Sequence, residues 1–250
     1  MSDAPSLDDI IATACPKIRD LGWAFYFDPA TMQRGTELGI DGFRFYFLGR
    51  GGVLGDVEAA VVTSAFGYFK PSLVESVWTT GSQVVAPRVA GRAYVACAAD
   101  HGRAQLSEVD GLEAFVAAAD AVNDAADPVG LALYAAAAAE PFADDAPARA
   151  MQLLALLREF RGSAHLIAIR AVGLDALTAH AINRPGDLAM FGWDEADLPP
   201  ISDAQRTAWT EAERLTDEMT LAAYGALDET GRAAFLHGLL GIEAALAPPA

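Results

Sequence analysis

An ionisable cluster interrupts the apolar stretch at residues 151–172, where Arg158, Glu159, Arg161 and His165 lie close together. On one continuous helix Arg158 and Arg161 are three residues apart and Arg161 and His165 four apart, so the three would share a face. Two guanidiniums beside an imidazole could hold a carboxylate or an enolate and relay a proton. His165, Arg161 and Glu159 are therefore the candidate catalytic residues, and Arg158 is a candidate ligand-binding residue. A salt-bridge cluster between helices is the alternative interpretation.

Tyr46 and Arg50 form a second candidate pair, because they are four residues apart in a stretch that ends in glycines. Gly51, Gly52 and Gly55 follow, and a backbone without Cβ atoms can approach a ligand closely. The pattern predicts a pocket wall in which Tyr46 and Arg50 bind the ligand. The alternative is an amphipathic turn in which Arg50 pairs with one of three nearby carboxylates: Glu37, Asp56 or Glu58. The segment GRGGVLG lacks the GK[ST] ending of a phosphate-binding loop, so we exclude that motif.

Three aromatic side chains and one carboxylate complete the predicted ligand-binding set. Phe66, Phe69 and Trp78 could stack on a ligand, although aromatic residues at helical spacing also form ordinary core. Asp217 lies at the edge of an apolar stripe, and a buried carboxylate there would require an arginine or histidine partner. Arg161 or His165 could be that partner.

The histidines and cysteines form no recognisable metal-binding or nucleophile motif. The four histidines show neither HxxxH nor ExxH spacing. Cys15 and Cys97 are isolated, and the sequence contains neither a CxxC pair nor a GxSxG motif. We therefore expect no metal and no cofactor, and a reducing compartment.

The net charge of −17 argues against binding to phosphate polymers, since nucleic-acid affinity comes mainly from Lys and Arg. The acidic beginning of the chain lacks the basic and apolar regions of a secretory signal. The longest apolar run, residues 129–139, is far shorter than the roughly 20 residues that span a membrane. We therefore expect a cytoplasmic protein with neither a nucleic-acid partner nor a membrane partner.

Hydrophobic periodicity and capping signals predict an all-α fold, built as a multi-helix bundle. Ser6 with Asp9 resembles a capping box, and Asp28 before Pro29 is typical of a helix start. Dense aromatic residues after position 42 favour a buried helix, with a strand as the minor alternative. In the N-terminal part the sequence predicts helices over residues 7–21, 29–39, 42–50, 56–69, 71–78, 87–101, 112–126 and 128–139.

A Pro- and Asp-rich connector at residues 140–150 predicts a boundary between two domains, residues 1–145 and 146–250. Helices at residues 163–172 and 174–182, joined at Gly173, match the helix-turn-helix pattern. The remaining predicted C-terminal helices cover residues 151–160, 203–224 and about 235–246. The helix at 203–224 carries a predicted apolar stripe of four residues: Trp209, Ala212, Leu215 and Met219.

Three motifs of this sequence resemble an uncharacterised actinobacterial helical family with a C-terminal helix-turn-helix of winged-helix type. They are residues 45–78, residues 156–169 with the sequence LLREFRGSAHLIAI, and residues 213–220 with the sequence ERLTDEMT. The resemblance covers nearly the whole chain and implies a homodimer that associates through its terminal helices. In the second motif Phe160 stands where the family has histidine, and Ser163-Ala164 replace an Asp-Gly pair.

The predicted DNA-binding surface is degenerate. Residues 184–202 lack the alternating pattern and the turn sequence of a hairpin wing. Residues 163–216 contain four basic and eight acidic residues, and the second predicted helix contains no Arg or Lys. We therefore expect a protein that has lost DNA contact and binds a small organic molecule between helices, as a carrier or a cofactor-independent biosynthetic enzyme. The alternatives are a ligand-responsive winged-helix transcriptional regulator and a helical interaction module without a pocket.

Overall fold

The computed structural model describes residues 5–198 and 200–247, and every regular element in these ranges is helical. No strand occurs within them, so the predicted all-α fold class is confirmed. The α-helices are α1 (Leu7–Leu21), α2 (Pro29–Glu37), α3 (Gly42–Gly51), α4 (Ala59–Phe66), α5 (Pro71–Ser82), α6 (Pro87–Leu106), α7 (Leu112–Ala125), α8 (Ala132–Ala138), α9 (Ala146–Ala171), α10 (Ala176–Asn183), α11 (Asp203–Tyr224) and α12 (Glu229–Leu246). Short 3-10 turns lie at Gly52–Leu54, Pro185–Phe191 and Glu195–Asp197.

Local capping signals begin the first helices where the sequence predicts them. The Ser6 hydroxyl caps α1, and Asp9 completes the capping box by accepting from the Ser6 backbone N–H at 3.0 Å. The Asp28 carboxylate caps α2 in front of Pro29. Asp41 caps α3, and the aromatic segment behind it is helical, which excludes the strand alternative. These caps satisfy backbone N–H groups that have no partner inside a helix.

Helix α9 is continuous where the sequence predicts two helices separated at Arg161 and Gly162. A Cβ atom at Gly162 would meet nothing within 4 Å, so this glycine faces open space and does not mark a turn. Helices α1, α6, α7, α8 and α11 pack around α9 and stabilise its 26 residues. The ionisable cluster at residues 158–165 consequently lies on one rigid helix.

Helix α4 ends three residues earlier than predicted. Gly67, with a φ of +74°, terminates it directly after Phe66. Tyr68 therefore lies in the connection to α5, and its ring sits 6.5 Å from the ring of His165 and 5.8 Å from the ring of His180. This short connection thereby brings aromatic side chains against both α9 and α10.

One large hydrophobic cluster extends from α1 to α12 and contains residues from both sides of position 145. Phe115 and Phe235 meet within it, with their ring centroids 5.2 Å apart. A smaller cluster joins the end of α9 to α10 and α11. The division of the chain into domains at residues 1–145 and 146–250 stays a prediction.

The end of α9, the turn at Gly173 and helix α10 are two helices joined by a glycine turn, at the position where the sequence predicts the helix-turn-helix. Gly173 has a φ of +79°, and α9 and α10 meet at a bend of 115°. The predicted loop after α10 contains two 3-10 turns, and the described residues of 184–202 contain no strand. As the sequence predicts, these residues do not form a hairpin wing.

Helix α11 spans the predicted residues, but its buried face differs from the predicted apolar stripe. Of the four stripe residues only Ala212 is buried, and Met219 is 39% exposed. Thr216 and Thr220 are buried instead, and their hydroxyls donate to carbonyls four residues earlier at 2.7 and 3.0 Å. Because the helix itself satisfies these hydroxyls, threonine can occupy buried positions that a count of apolar residues overlooks.

The length and hydropathy of the helices bear on membrane insertion. No single helix among the described residues is both long and apolar enough to cross a membrane. Helices α9 and α10 reach the required length and apolar character only when they are taken together across their 115° bend.

Candidate functional site

Most of the predicted site residues line one cavity between α3, α9, α10 and α11. Its volume is about 140 Å³, close to the roughly 150 Å³ of a protein cavity that holds benzene, and it opens to solvent at a rim formed by exposed arginines. Eight of the ten predicted residues form part of its wall: Tyr46, Arg50, Phe66, Phe69, Arg158, Glu159, Arg161 and His165. The other two, Trp78 and Asp217, lie outside it.

Five arginines and two glutamates line the cavity of this acidic chain. Arg19 and Arg184 pair with Asp20 and Asp187 outside the wall, so the excess of positive charge is confined to the buried Arg50, Arg158 and Glu159. Arg19 and Arg184 lie at its rim with side chains 42% and 39% exposed. Arg50, Arg158 and Arg161 lie deeper, with side chains 13%, 24% and 14% exposed. These five arginines belong to a chain with only 17 basic residues, so their concentration in one cavity favours an anionic occupant.

Glu159 is the centre of a buried polar network. Arg50 donates to both oxygens of Glu159, from Nε and Nη2, at 2.7 Å each. The Tyr26 hydroxyl donates to Glu159 Oε1 at 3.0 Å, and Arg50 Nη1 donates to the Tyr46 hydroxyl at 3.1 Å. The Arg50 guanidinium also lies 4.3 Å from the centroid of the Phe66 ring. Arg50 therefore pairs with a carboxylate 109 residues away, and not with the nearby carboxylates of the alternative interpretation.

The environment of Glu159 decides its chemical role. Burial alone would raise the pKa of Glu159, but the charge and hydrogen bonds of Arg50, followed by those of Arg158 and Tyr26, lower it to about 2. The carboxylate is consequently ionised at neutral pH and both its oxygens are bonded. Glu159 was predicted as a catalytic residue, whereas this geometry suits a residue that positions Arg50.

Arg158 has one buried guanidinium nitrogen that has no hydrogen-bond partner among the described residues. Its Nη1 donates to the Tyr26 hydroxyl at 3.2 Å and to Glu159 Oε1 at 3.3 Å. The nitrogen without a partner is Nε. Since Arg50 and Arg158 share the single carboxylate of Glu159, the buried network carries one unbalanced positive charge.

Arg161 connects α9 to α11. Its Nη2 donates to Glu213 Oε2 at 2.6 Å and lies 3.8 Å from Asp217 Oδ1. Its Nε is buried and without a partner among the residues that the structure describes. The Asp217 side chain is 43% exposed, so its predicted pairing with Arg161 is secondary to that of Glu213.

His165 is held in one tautomer by α11. Its Nδ1 lies 2.8 Å from Thr216 Oγ1, which donates its own proton to the Ala212 carbonyl at 2.7 Å. Because a hydroxyl has one proton, Thr216 accepts from Nδ1–H, and His165 Nε2 is left with a lone pair. This Nε2 is buried, has no hydrogen-bond partner in the described part of the chain, and lies 3.7 Å from Glu213 Oε1. Burial lowers the pKa of His165 to about 4, so the ring is neutral at pH 7.

Unsatisfied polar atoms are concentrated on this cavity's residues. The described residues contain eight buried side-chain polar atoms without a hydrogen-bond partner. Four of these atoms belong to residues that line the cavity: Arg158 Nε, Arg161 Nε, His165 Nε2 and His180 Nε2. Because buried polar groups are nearly always hydrogen-bonded, these four atoms are candidates for contact with a bound polar molecule or with water.

Helix α10, the second helix of the predicted helix-turn-helix, faces inward. Its residues 178–181 are buried, and His180 and Asn183 line the cavity. The His180 ring packs on Phe191, with centroids 4.1 Å apart. A recognition helix that reads DNA must present side chains to a groove, whereas α10 uses half of its residues for packing.

One family model covers the elements that build this cavity. The model of the Helix-turn-helix family matches residues 13–237. The chain belongs to this family. No curated protein and no solved structure matches the chain. The predicted resemblance to a helix-turn-helix family is thereby confirmed, whereas the actinobacterial origin and the C-terminal placement of the motif stay predictions.

Trp78 has a packing role in this helix-turn-helix protein. Its side chain is buried, and its indole Nε1 donates to the Val57 carbonyl at 2.9 Å. A Cβ atom at Gly51 would lie 2.9 Å from its ring, so α3 packs closely against it. Trp78 therefore packs between α3 and α5, and its role in ligand binding stays a prediction.

The predicted set omits several residues that this helix-turn-helix protein brings to the cavity or its network. They are Arg19, Tyr26, Tyr68, His180, Arg184, Phe191 and Glu213. Glu213 had a detectable signal, because it lies four residues before Asp217 and on one helical face with it. Tyr26 and Arg184 had no detectable sequence signal, since each lies outside an α-helix and reaches the site through the packing of distant elements.

A smaller apolar cavity of about 70 Å³ lies beside the first one. Its wall includes Phe25, Tyr94 and Leu133. Arg50 and Glu159 belong to the walls of both cavities, so their ion pair forms the partition between a polar and an apolar space.

Proposed function

We propose that this helix-turn-helix protein binds a small organic anion in the arginine-lined cavity and has lost DNA contact. The observation that carries the proposal is the buried network in which Arg50 and Arg158 share the single carboxylate of Glu159, in a chain with a net charge of −17. Burying guanidiniums without sufficient counter-charge costs free energy, and an anion bound among them would offset that cost.

Two arginine nitrogens supply anchors for the anion. Arginine N–H groups bind carboxylates strongly, and the Nε atoms of Arg158 and Arg161 are both buried without a hydrogen-bond partner among the described residues. Tyr46, Phe66 and Phe69 form an apolar wall of the same cavity. A carboxylate attached to a small apolar or aromatic body therefore matches the site.

The charge of the helix-turn-helix supports the loss of DNA contact. Residues 163–216 contain four basic residues against eight acidic ones. One of the four, Arg214, is already paired with Glu211 and Glu218. Since DNA affinity depends on Lys and Arg side chains that neutralise phosphates, this segment would repel a duplex.

Thermal unfolding with phenylacetate and its neutral amide, phenylacetamide, tests anion binding. A ligand at a concentration of about 100 times its Kd adds about 2.7 kcal/mol to the free energy of unfolding. This raises the Tm of a chain of this size by roughly 5–10 °C. We expect this shift with phenylacetate and not with the amide. Arg158→Met should abolish the shift, whereas Arg170→Met, at an exposed position of the same helix, should retain it. The proposal fails if the amide stabilises equally or if phenylacetate leaves the wild-type Tm unchanged.

We also propose a more specific function, in which the protein is a cofactor-independent biosynthetic enzyme. His165 is then the group that takes a proton, because its Nε2 carries a lone pair whereas Glu159 stays ionised and bonded. Arg161 would stabilise negative charge that forms on the substrate. Arg161→Ala and His165→Ala test this assignment, which fails if ligand binding or turnover survives both substitutions.

A ligand-responsive transcriptional regulator is the second candidate, and the match to the Helix-turn-helix family favours it. Gel-shift titration discriminates between the two. We expect no specific retardation of DNA at submicromolar protein. Specific, salt-sensitive retardation would contradict the loss of DNA contact and support the regulator.

We also propose that two copies associate through the terminal helices. Helices α1 and α12 pack against each other, and Leu240 of α12 is 48% exposed. Light scattering coupled to size exclusion should show a dimer for the wild type and a monomer for Leu240→Glu. A monomeric wild type would contradict this assembly.

A further inference from the structure

The tautomer of His165 restricts which anion the cavity can hold. We infer that the ligand is a hydroxy acid, or another carboxylate with an O–H or N–H donor beside it, and that His165 Nε2 accepts a hydrogen bond from that donor. The inference rests on the proposed binding of an anion and names the chemical class of that anion.

The acceptor role of His165 follows from its contacts with α11. Thr216 uses its only proton on the Ala212 carbonyl and therefore accepts from His165 Nδ1–H. A proton on Nε2 would be expected to draw Glu213 into a hydrogen bond, but the observed separation of 3.7 Å is too long for one. Glu213 is instead bonded to Arg161 at 2.6 Å. Nε2 is therefore an acceptor that the described protein leaves without a donor.

The surroundings of His165 keep its ring neutral. The indole of Trp209 meets the imidazole edge to face at 4.9 Å, and Tyr68 covers it from the connection between α4 and α5. Burial among these rings disfavours the charged form, and Arg161 on the same helix disfavours it further. Glu213 on α11 favours protonation, but burial outweighs it.

One small molecule can reach both His165 and Arg161. The two side chains contact the same Glu213 carboxylate, Arg161 at Oε2 and His165 near Oε1, so they lie close together. Arg161 Nε needs an acceptor and His165 Nε2 needs a donor, since both atoms are buried and unpartnered among the described residues. A carboxylate with an adjacent hydroxyl satisfies both, whereas a second carboxylate would place negative charge against the lone pair.

Calorimetric titration with three probes that share a phenyl ring and one carboxylate tests this inference at pH 7. The probes differ in one substituent on the carbon between the ring and the carboxylate. This substituent is a hydroxyl in mandelate, a hydrogen in phenylacetate and a second carboxylate in phenylmalonate. We expect mandelate to bind most tightly and phenylacetate roughly tenfold or more weakly, because removing the donor leaves Nε2 unsatisfied. Phenylmalonate should bind most weakly.

Two variants connect the preference to His165. His165→Phe removes the acceptor and should bind mandelate and phenylacetate equally, whereas His237→Phe, at an exposed position on α12, should keep the preference. Should His165→Phe fail to fold, ¹⁵N NMR of the wild type provides the same test. We expect a protonated Nδ1 and a bare Nε2 whose resonance moves on addition of mandelate and not of phenylacetate.

The outcomes separate this inference from the proposed function. Tightest binding of phenylmalonate with uptake of a proton would show that His165 binds the ligand in its charged form, and would overturn the inference. Equal binding of mandelate and phenylacetate by the wild type would also overturn it while leaving anion binding intact. Absence of binding by all three probes would contradict the proposed function itself.

Discussion

At the residue scale, the pair of Arg50 and Glu159 holds a guanidinium in place and separates two cavities. Glu159→Gln should lower the free energy of unfolding by about 3–5 kcal/mol, because two buried guanidiniums lose their carboxylate. Urea unfolding measures the loss. Glu218→Gln is the matched control, since its pair with Arg214 is exposed and its loss should leave the free energy of unfolding almost unchanged. Similar losses in the two variants would contradict the role of burial.

The Glu159 carboxylate also makes the free energy of unfolding depend on pH in the acid range. Glu159 has a pKa of about 2 in the folded protein against an ordinary value of 4.5, so its stabilisation is complete above pH 4.5. It is lost as the pH falls from 4.5 toward about 2, and the shift corresponds to about 3 kcal/mol. Urea unfolding of wild type and Glu159→Gln should therefore give free energies of unfolding whose difference shrinks as the pH falls through this range. A difference independent of pH would exclude this linkage.

The histidines that line the cavity predict a second pH dependence. Burial lowers the pKa values of His165 and His180 to about 4, so the unfolded chain takes up their protons first as the pH falls. The stabilisation that the neutral rings provide is complete above pH 6.5, the ordinary pKa of histidine. It is lost as the pH falls from 6.5 toward 4. NMR titration should give ring midpoints near 4 for both. A midpoint near 6.5 for His165 would show that its ring is open to solvent.

At the scale of elements, the continuity of α9 makes Gly162 a site for stabilisation. Gly162→Ala should raise the free energy of unfolding by about 0.5–1 kcal/mol, since a Cβ atom there meets nothing within 4 Å. Gly102→Ala on α6 is the contrasting variant. Its Cβ would lie 2.2 Å from the Pro147 carbonyl oxygen, so it should destabilise. Destabilisation by Gly162→Ala, measured by urea unfolding, would contradict an uninterrupted helix.

Local signals explain why many elements could be predicted from the sequence. Asp28 caps α2, and α11 spans the predicted residues, because caps and periodicity act within a few positions along the chain. The partner of Arg50 could not be predicted in this way. Carboxylates nearer in sequence have the same chemistry, and the choice of Glu159 depends on how α3 and α9 are placed relative to each other.

At the scale of the whole molecule, spacing along one helix already indicated the cavity, because Arg158, Arg161 and His165 recur at helical intervals. The contribution of α10 was not predictable, since a helix-turn-helix pattern is typical of proteins that expose the second helix. Here the residues of that helix pack inward and close the cavity. The result is an arginine-lined interior space within an acidic protein.

This separation of charge predicts an unusual response to salt. The surface of a chain with net charge −17 should slow the approach of an anion, and added salt screens such exposed charges over distances beyond about 8–10 Å. The deeper arginines of the cavity are screened less, because their side chains are no more than 24% exposed. Association of mandelate, followed by stopped-flow fluorescence of Trp209 beside His165, should therefore accelerate when salt is raised from about 20 to 200 mM. Mandelamide, the neutral control, should associate at a rate independent of salt. Slower association of mandelate at high salt is the behaviour of a protein that attracts polyanions over its surface, and would favour the DNA-binding regulator.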